Sequence, residues 1–483
     1  MTERPPSYDL SKVDQVAFED RPDLRPTEAS GRRALARMLA MDATIYGLPS
    51  VYQYAQMYDQ AVDRSSPGWT GFNVFRHQRE LATPDFAVFK TPNVDTLYSN
   101  AWLDLTAGPA RVSIPAMGDR YYTLQFLDMY ANATNLSSRT VGPDGGDFLI
   151  AAPSWSGDVP DGVHCFRVAT PYMWILMRIL VRDDSQDVDV VRALQDAVTI
   201  DATGGIGQRS FPAASASAVE GDWRVFFTAL DAVIRANGTP SREDGLVYRY
   251  RHIGIGGPDA LDLTRLDDDT LEAMQAGFAD AMGILAGCRS QVGEPVGDTG
   301  WVTGTAGQCG FNYVRRALQN FVGTGGNVLA EKKFYAAFTS ADGEPLDGSV
   351  ADYRVRFDRP PPVAGHWSVT VYPVSTGLLY PNELDRYAIA ATTPGLQIGA
   401  DGGLQIHVSH RPPPDTTNWL PAPDGPFYMD IRTWHPEPEV RDGRWQPGAI
   451  ERLPTLAGKL ARPDRVLTDT GAGRDLDQSE PAS

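Results

Sequence analysis

The alternation of apolar and polar positions is sharpest between Thr91 and Leu105. From Leu97 the period is two: Leu97, Ser99, Ala101, Leu103 and Leu105 share one face, and Tyr98, Asn100, Trp102 and Asp104 share the other. This pattern predicts a strand with one aliphatic and one polar-aromatic face. The second face either meets a ligand or is covered by another part of the chain. Thr91-Pro92-Asn93 sets an extended or turn backbone ahead of it, because proline excludes its predecessor from the helical region. Residues 111–114 and 121–130 predict two more strands. In the latter, Tyr122, Leu124, Phe126 and Tyr130 share a face with Asp128. Shorter strands are predicted over 148–151 and 164–168.

Helical spacing precedes and follows this block. Ala34, Met38, Met41 and Ile45 form one stripe, and after Gly47-Leu48-Pro49 the helix resumes through Val51, Tyr54 and Tyr58. Helices dominate again from 188 to about 318. Asp222 caps a helix whose buried stripe is Trp223, Phe226, Phe227, Leu230 and Ile234, with Gly238 past its end. Asp269 and Glu272 resemble a capping pair for a helix through Met274, Phe278, Met282 and Leu285, and 311–321 forms another. Beyond Gly323-Thr324-Gly325-Gly326 the strand texture returns at 335–339, 353–357, 366–372, 404–408 and 427–434. The expected organisation has five parts. They are a flexible arm (1–30), a β-rich domain with a leading helix (31–200), a helical segment (201–325), a second β domain (326–457) and a polar tail (458–483).

Composition narrows the function classes. A formal net charge of -18 repels nucleic acid and anionic membranes over long range, so neither is expected as a partner. The longest apolar run, 172–181, is too short to span a bilayer and contains Arg178. The amino-terminal residues lack the basic-then-apolar pattern of a signal peptide, which gives a cytoplasmic expectation. Cys165, Cys288 and Cys309 are too few and too scattered for a disulfide framework or a paired-cysteine metal site. Exposed edge strands make a homo-oligomer the expected state.

Several motifs together resemble a bacterial family of paired domains of unknown function, numbered 1254 (N-terminal) and 1214 (C-terminal). The first half carries Thr91-Pro92-Asn93-Val94-Asp95-Thr96-Leu97-Tyr98 through Trp102-Leu103-Asp104-Leu105, then Ile114-Pro115, and Arg120-Tyr121-Tyr122 through Asp128 and Tyr130. The second half carries Leu346-Asp347-Gly348, Trp367-Ser368-Val369-Thr370-Val371-Tyr372, Asn418-Trp419-Leu420-Pro421 and Gly443-Arg444-Trp445. His366 and Lys332-Lys333 depart from the family texture. The resemblance implies an α+β chain, mostly β, with two β-sandwich (jelly-roll-like) lobes joined by a helical segment. It implies no established activity.

Candidate chemistry centres on acids set among rings. Asp95 stands beside Asn93 and Tyr98, and Asp128 lies between Phe126 and Tyr130. A desolvated carboxyl titrates higher and becomes a general acid or base near neutral pH. The sequence therefore predicts an enzyme acting on a small organic molecule, of lyase, isomerase or hydrolase type, with no cofactor and no metal. In it Asp95 or Asp128 moves the proton, Tyr98 donates to oxyanion charge, and Arg120 orients the substrate. Asn93, Trp102, Tyr122 and Tyr130 line the pocket. One alternative is a non-catalytic sandwich that binds carbohydrate or another small ligand, with Trp102 and Tyr98 as stacking platforms. Another is a mononuclear metal enzyme using His407 and His410, although residues three apart on a strand point to opposite faces. His366, Ser368, Thr370 and Tyr372 share one strand face, read as solvated or as a polar ligand surface.

Overall fold

The computed structural model describes residues 25–86, 91–182, 185–202, 204–207, 210–288, 291–304 and 306–453. The expected arm up to residue 24 and the expected polar tail lie outside the described residues.

The fold is α+β, with two sandwiches and a helical segment that lies between them in the chain. The first helix, α1 (Ala29–Met57), runs straight through Pro49, which the sequence read as an interruption. The first sandwich then uses β1 (Arg76–His77), β2 (Thr96–Asp104), β3 (Ala110–Ile114), β4 (Tyr122–Asp128), β5 (Ala133–Ser137), β6 (Gly146–Ala151), β7 (His164–Arg167) and β8 (Tyr172–Leu180). Helix α2 (Ser185–Ala197) and β9 (Thr199–Ala202) complete it. One sheet has the order β1-β2-β8-β4-β5 and the other β7-β6-β3-β9. The apolar run noted at 172–181 is thus the central strand of a sheet, flanked by β2 and β4. Leu97, Ala101 and Leu103 of β2 pack with Leu124, Phe126, Ile175 and Met177 in the sandwich core, as their shared face predicts.

The helical layer adds α3 (Ala216–Gly221), α4 (Trp223–Asn237), α5 (Asp244–Tyr248), α6 (Asp268–Gly287) and α7 (Tyr313–Val322). Asp222 caps α4 by accepting from the Arg224 amide at 2.8 Å. The cap of α6 is Asp267, accepting from Thr270 N at 2.8 Å, two positions ahead of the expected pair. Helix α1 packs chiefly on α6, with α4 and α7 beside it, and joins their apolar faces into one core. Gly277 permits the closest approach, since a Cβ there would come within 2.4 Å of the Arg37 carbonyl.

The second sandwich takes strands from before and after α7. These are β10 (Glu294–Pro295), β11 (Trp301–Gly304), β12 (Lys332–Ala337), β13 (Asp352–Phe357), β14 (Val363–Pro373), β15 (Ala388–Ala390), β16 (Leu404–Ser409), β17 (Trp419–Pro421), β18 (Phe427–Pro436) and β19 (Ile450–Leu453). Its sheets run β10-β11-β12-β18-β14-β15 and β17-β16-β13-β19. No described helix is long and apolar enough to cross a membrane.

Candidate functional site

The outward face of the β12-β18-β14 sheet is polar and points at the first sandwich. Strand register sets Lys332, Trp434 and His366 in one row, Arg432 and Ser368 in the next, then Asp430 and Thr370, then Tyr428 and Tyr372. The expected solvated face does not exist: His366, Ser368, Thr370 and Tyr372 are all buried. Opposite them, β2 and β8 pair Tyr98 with Arg178, and Arg178 also pairs with Thr123 of β4. The two sheets meet in a polar seam, pinned at one side by Tyr121, Leu180 and Trp434. Gly365 sits where the β14 register shifts, and a Cβ there would lie 2.9 Å from the Tyr121 ring. The missing side chain lets the sheets close.

Asp95 is the central acid of the seam. Asn93 builds the turn before β2, its Oδ1 accepting from the amides of Asp95 and Thr96 at 2.9 and 3.0 Å. The Asp95 carboxylate crosses to the other sandwich, where Ser368 Oγ donates to Oδ2 at 2.6 Å. His366 Nε2 lies 3.2 Å from Oδ1, within ion-pair reach but off the line of a hydrogen bond. Burial alone would raise this carboxyl, but His366, Ser368 and Arg432 outweigh it and hold the group below its ordinary value. The carboxylate stands between serine and histidine. This is not the serine–histidine–carboxylate order that activates a nucleophile.

Around this pair lie three cations. Arg432 is buried and bound to Asp430 at 3.0 Å, and its Nη2 also donates to the Thr91 carbonyl at 2.8 Å. Arg178 is 7% exposed and donates from Nη1 to Gln125 at 2.8 Å. Its guanidinium lies over both the Tyr98 and the Trp434 rings, 5.5 and 5.3 Å from their centroids. Lys332 Nζ lies 5.1 Å from the same Trp434 ring. Burial drives the Lys332 amine down to about 7; Asp430 opposes this, and Arg432 and Arg178 add to it. Five buried polar atoms of the seam lack a hydrogen-bond partner among the described residues: Asn135 Oδ1, Arg178 Nε, His366 Nε2, Asp430 Oδ1 and Trp434 Nε1. In a protein interior such atoms are usually met by ordered water or by a bound polar group.

The remaining predicted residues are dispersed. Asp128 pairs in register with Met173, while Thr96, next to Asp95, pairs with Leu180. The two acids therefore sit at opposite ends of β8, on the order of 20 Å apart at strand rise. The paired-carboxylate site expected from sequence is not formed. Asp128 instead ties the β4–β5 turn, its Oδ1 accepting from Tyr130 N and Asn132 N, each at 2.9 Å. Tyr130 reaches the Gly238 carbonyl. Tyr122 lies inside the sandwich core and donates to the Gly142 carbonyl at 2.9 Å. Arg120 is claimed by Asp187 through two hydrogen bonds of 2.8 and 2.6 Å, so its fork is already occupied. Trp102 stacks on Trp174 at 5.7 Å and donates to Gln60 at 3.0 Å, beneath the helical layer. It offers no open face for a sugar. Asn93, Asp95 and Tyr98 alone of the predicted set reach the seam.

Sequence reading missed Arg178, Lys332, Asp430 and Arg432, and discounted His366 and Ser368. For three of them the signal was present: Arg178, Asp430 and Arg432 are charges set inside strands of mostly apolar or aromatic neighbours, whereas Lys332 stands between Glu331 and Lys333. His407 lies on β16 and His410 just beyond it, donating to or accepting from nothing shared; His410 Nδ1 faces the Ala422 carbonyl at 3.2 Å. Among the described residues no group of three or more His, Cys, Asp and Glu side chains has metal-binding placement. An open groove of about 880 Å³ lies on the far face of the second sandwich, lined by Asp352, Gln405, His407 and Asn418. It shares none of the seam's paired groups.

The chain matches the family described as protein of unknown function (DUF1254) over residues 72–202, and the one described as protein of unknown function (DUF1214) over 331–438. The first match spans the first sandwich, and the second spans β12 to β18, so both walls of the seam fall inside the matches. The crystal structure of the VPA0106 protein from Vibrio parahaemolyticus is similar at 26% identity and a TM-score of 0.67, covering 86% of this chain and 100% of that one. An uncharacterized protein from Burkholderia cenocepacia aligns over 92% of this chain and 94% of its own, at 14% identity and a TM-score of 0.40. No curated protein matches the chain. With the two domains present in this order, the chain belongs to the family that pairs an N-terminal DUF1254 domain with a C-terminal DUF1214 domain.

Proposed function

We propose that the protein is an enzyme that moves a proton on a small organic molecule held in the seam between the sandwiches. The observation that carries this reading is the Asp95–His366 contact, a carboxylate 3.2 Å from an imidazole inside a buried polar layer with unpartnered atoms around it. A carboxylate beside one ring nitrogen holds the proton there and leaves the other nitrogen as the base. His366 then abstracts and returns the proton, Asp95 balances the imidazolium, and Ser368 fixes the carboxylate. Tyr98, bonded through its hydroxyl to Asn93 and facing Arg178, supplies a donor for enolate or oxyanion charge. This retains the acid–base class read from sequence, but gives the proton transfer to His366 instead of Asp95 or Asp128.

Hydrogen–deuterium exchange tests this without knowledge of the final product. The full chain is incubated in deuterium oxide with a panel of ketones, oxo acids and hydroxy acids, and C–H exchange is followed by NMR. We expect exchange in at least one compound, falling about 10²-fold or more in Asp95→Asn and in His366→Gln. Exchange that persists at the native rate in both variants overturns the reading. The open groove of the second sandwich favours a second reading, binding of a polyhydroxylated ligand, because Asp352, Gln405 and Asn418 line it. Sugar titration of an Asn418→Ala variant separates the two.

A further inference from the structure

We infer that Arg178 and Lys332, which share the Trp434 ring, bind the carboxylate group of a small organic acid; this rests on the seam being the reaction site and names its substrate class.

The argument begins from charge. The chain carries 61 acidic residues and a net charge of -18, so carboxylates are plentiful. Neither Arg178 nor Lys332, however, has a carboxylate within ion-pair reach among the described residues, although most other arginines near the core do, including Arg120, Arg316 and Arg432. Asp430 Oδ2 is held by Arg432. Glu331 is engaged by Tyr121, Ser137 and Arg139. Asp95 is engaged by Ser368 and His366.

Two like charges sharing one indole and lacking a counter-ion repel each other where water solvates them poorly. Their attraction to the ring does not replace lost hydration. A bound anion removes the conflict. A carboxylate fits the planar guanidinium, whose Nε is unpartnered, and the Lys332 amine adds a point charge beside it. Lys332 also keeps part of its surface open while Arg178, Arg432, Asp430 and Trp434 are buried, so the lysine marks the solvent side of the site. Asp430 Oδ1, also unpartnered, is an acceptor for a hydroxyl on the same ligand.

The test is thermal denaturation and calorimetric titration of the full chain with malonate and benzoate, against malonamide and benzamide, and with inorganic phosphate as a separate arm. We expect a saturable stabilisation by at least one carboxylate and none by its amide. Affinity should fall at least tenfold in Arg178→Met and in Lys332→Met. Stabilisation that is absent, equal for acid and amide, unchanged in both variants, or confined to phosphate overturns the carboxylate site. Asp95→Asn keeps carboxylate binding while losing proton exchange, which separates the two readings. Exchange on neutral ketones with no carboxylate binding overturns this inference alone, and carboxylate binding with no Asp95-dependent exchange overturns the proton-transfer reading alone.

Discussion

Ser368 and Asp95, 273 residues apart in the chain, share a 2.6 Å hydrogen bond across the boundary between the two sandwiches. The bond joins one family domain to the other, and His366 reaches the same carboxylate from the same strand. The seam is therefore a property of neither domain alone. An acid from the turn before β2 completes a strand face of the second sandwich, and Arg178 and Tyr98 cover it.

Stability against acid should depend on Asp95. Its carboxyl is held below the ordinary value of 3.8, so the ionised form is favoured in the folded protein. The sign follows: the contribution is complete above that ordinary value and is lost as pH falls through the lower folded value. Asp95→Asn should cost about 2–4 kcal/mol at pH 7 and flatten the acid limb of the stability curve. Urea denaturation from pH 2.5 to 7 measures this. Parallel curves for parent and variant would show that the carboxylate is not held by its partners.

Lys332 should produce the opposite limb. Its amine falls to about 7 from an ordinary 10.5, so between those values the unfolded chain holds a proton that the folded chain does not. Stability from this group is therefore lowest and flat below about 7, and rises with pH up to the unfolded value. Lys332→Met removes the penalty. In buffer free of carboxylates the variant should exceed the parent in denaturation midpoint at pH 6, with the gap closing toward pH 10. An unchanging gap across that range defeats the expectation.

Asp128 should behave as a structural acceptor. Burial raises its carboxyl, and hydrogen bonds from Asn132 and Tyr130 offset this only in part. An amide oxygen accepts from the same two backbone amides, so Asp128→Asn should leave stability within about 1 kcal/mol of the parent. Asp128→Ala strands those buried donors and should cost about 2 kcal/mol or more. Because the folded carboxyl favours its protonated form, the parent should gain relative to the Asn variant as pH falls through its raised value. Chemical denaturation of the two variants at pH 5 and 8 measures both effects.

Local pattern determined much of the fold. The period of two at 97–105 placed Leu97, Ala101 and Leu103 in the sandwich core, because a strand has only two faces and the aliphatic one must leave water. The Trp223-to-Ile234 stripe and its Asp222 cap were legible for the same reason, since caps and stripes act within a few residues. Pro49 and the run at 172–181 were not, because tertiary packing overrides a single helix breaker and a strand buried on both faces has no alternation to read. The candidate site divides along the same line. Asn93, Asp95 and Tyr98 stood out by their mutual proximity in sequence. Which carboxyl would be an acceptor for a turn, and which would face a histidine, depended on strand order: β8 lies between β2 and β4 and sends Asp95 and Asp128 to opposite ends. The sequence by itself supplied charged residues within apolar strands. Only the packing of one sheet face against another, in a medium too poor in water to solvate them, decided which became partners and which were left without one.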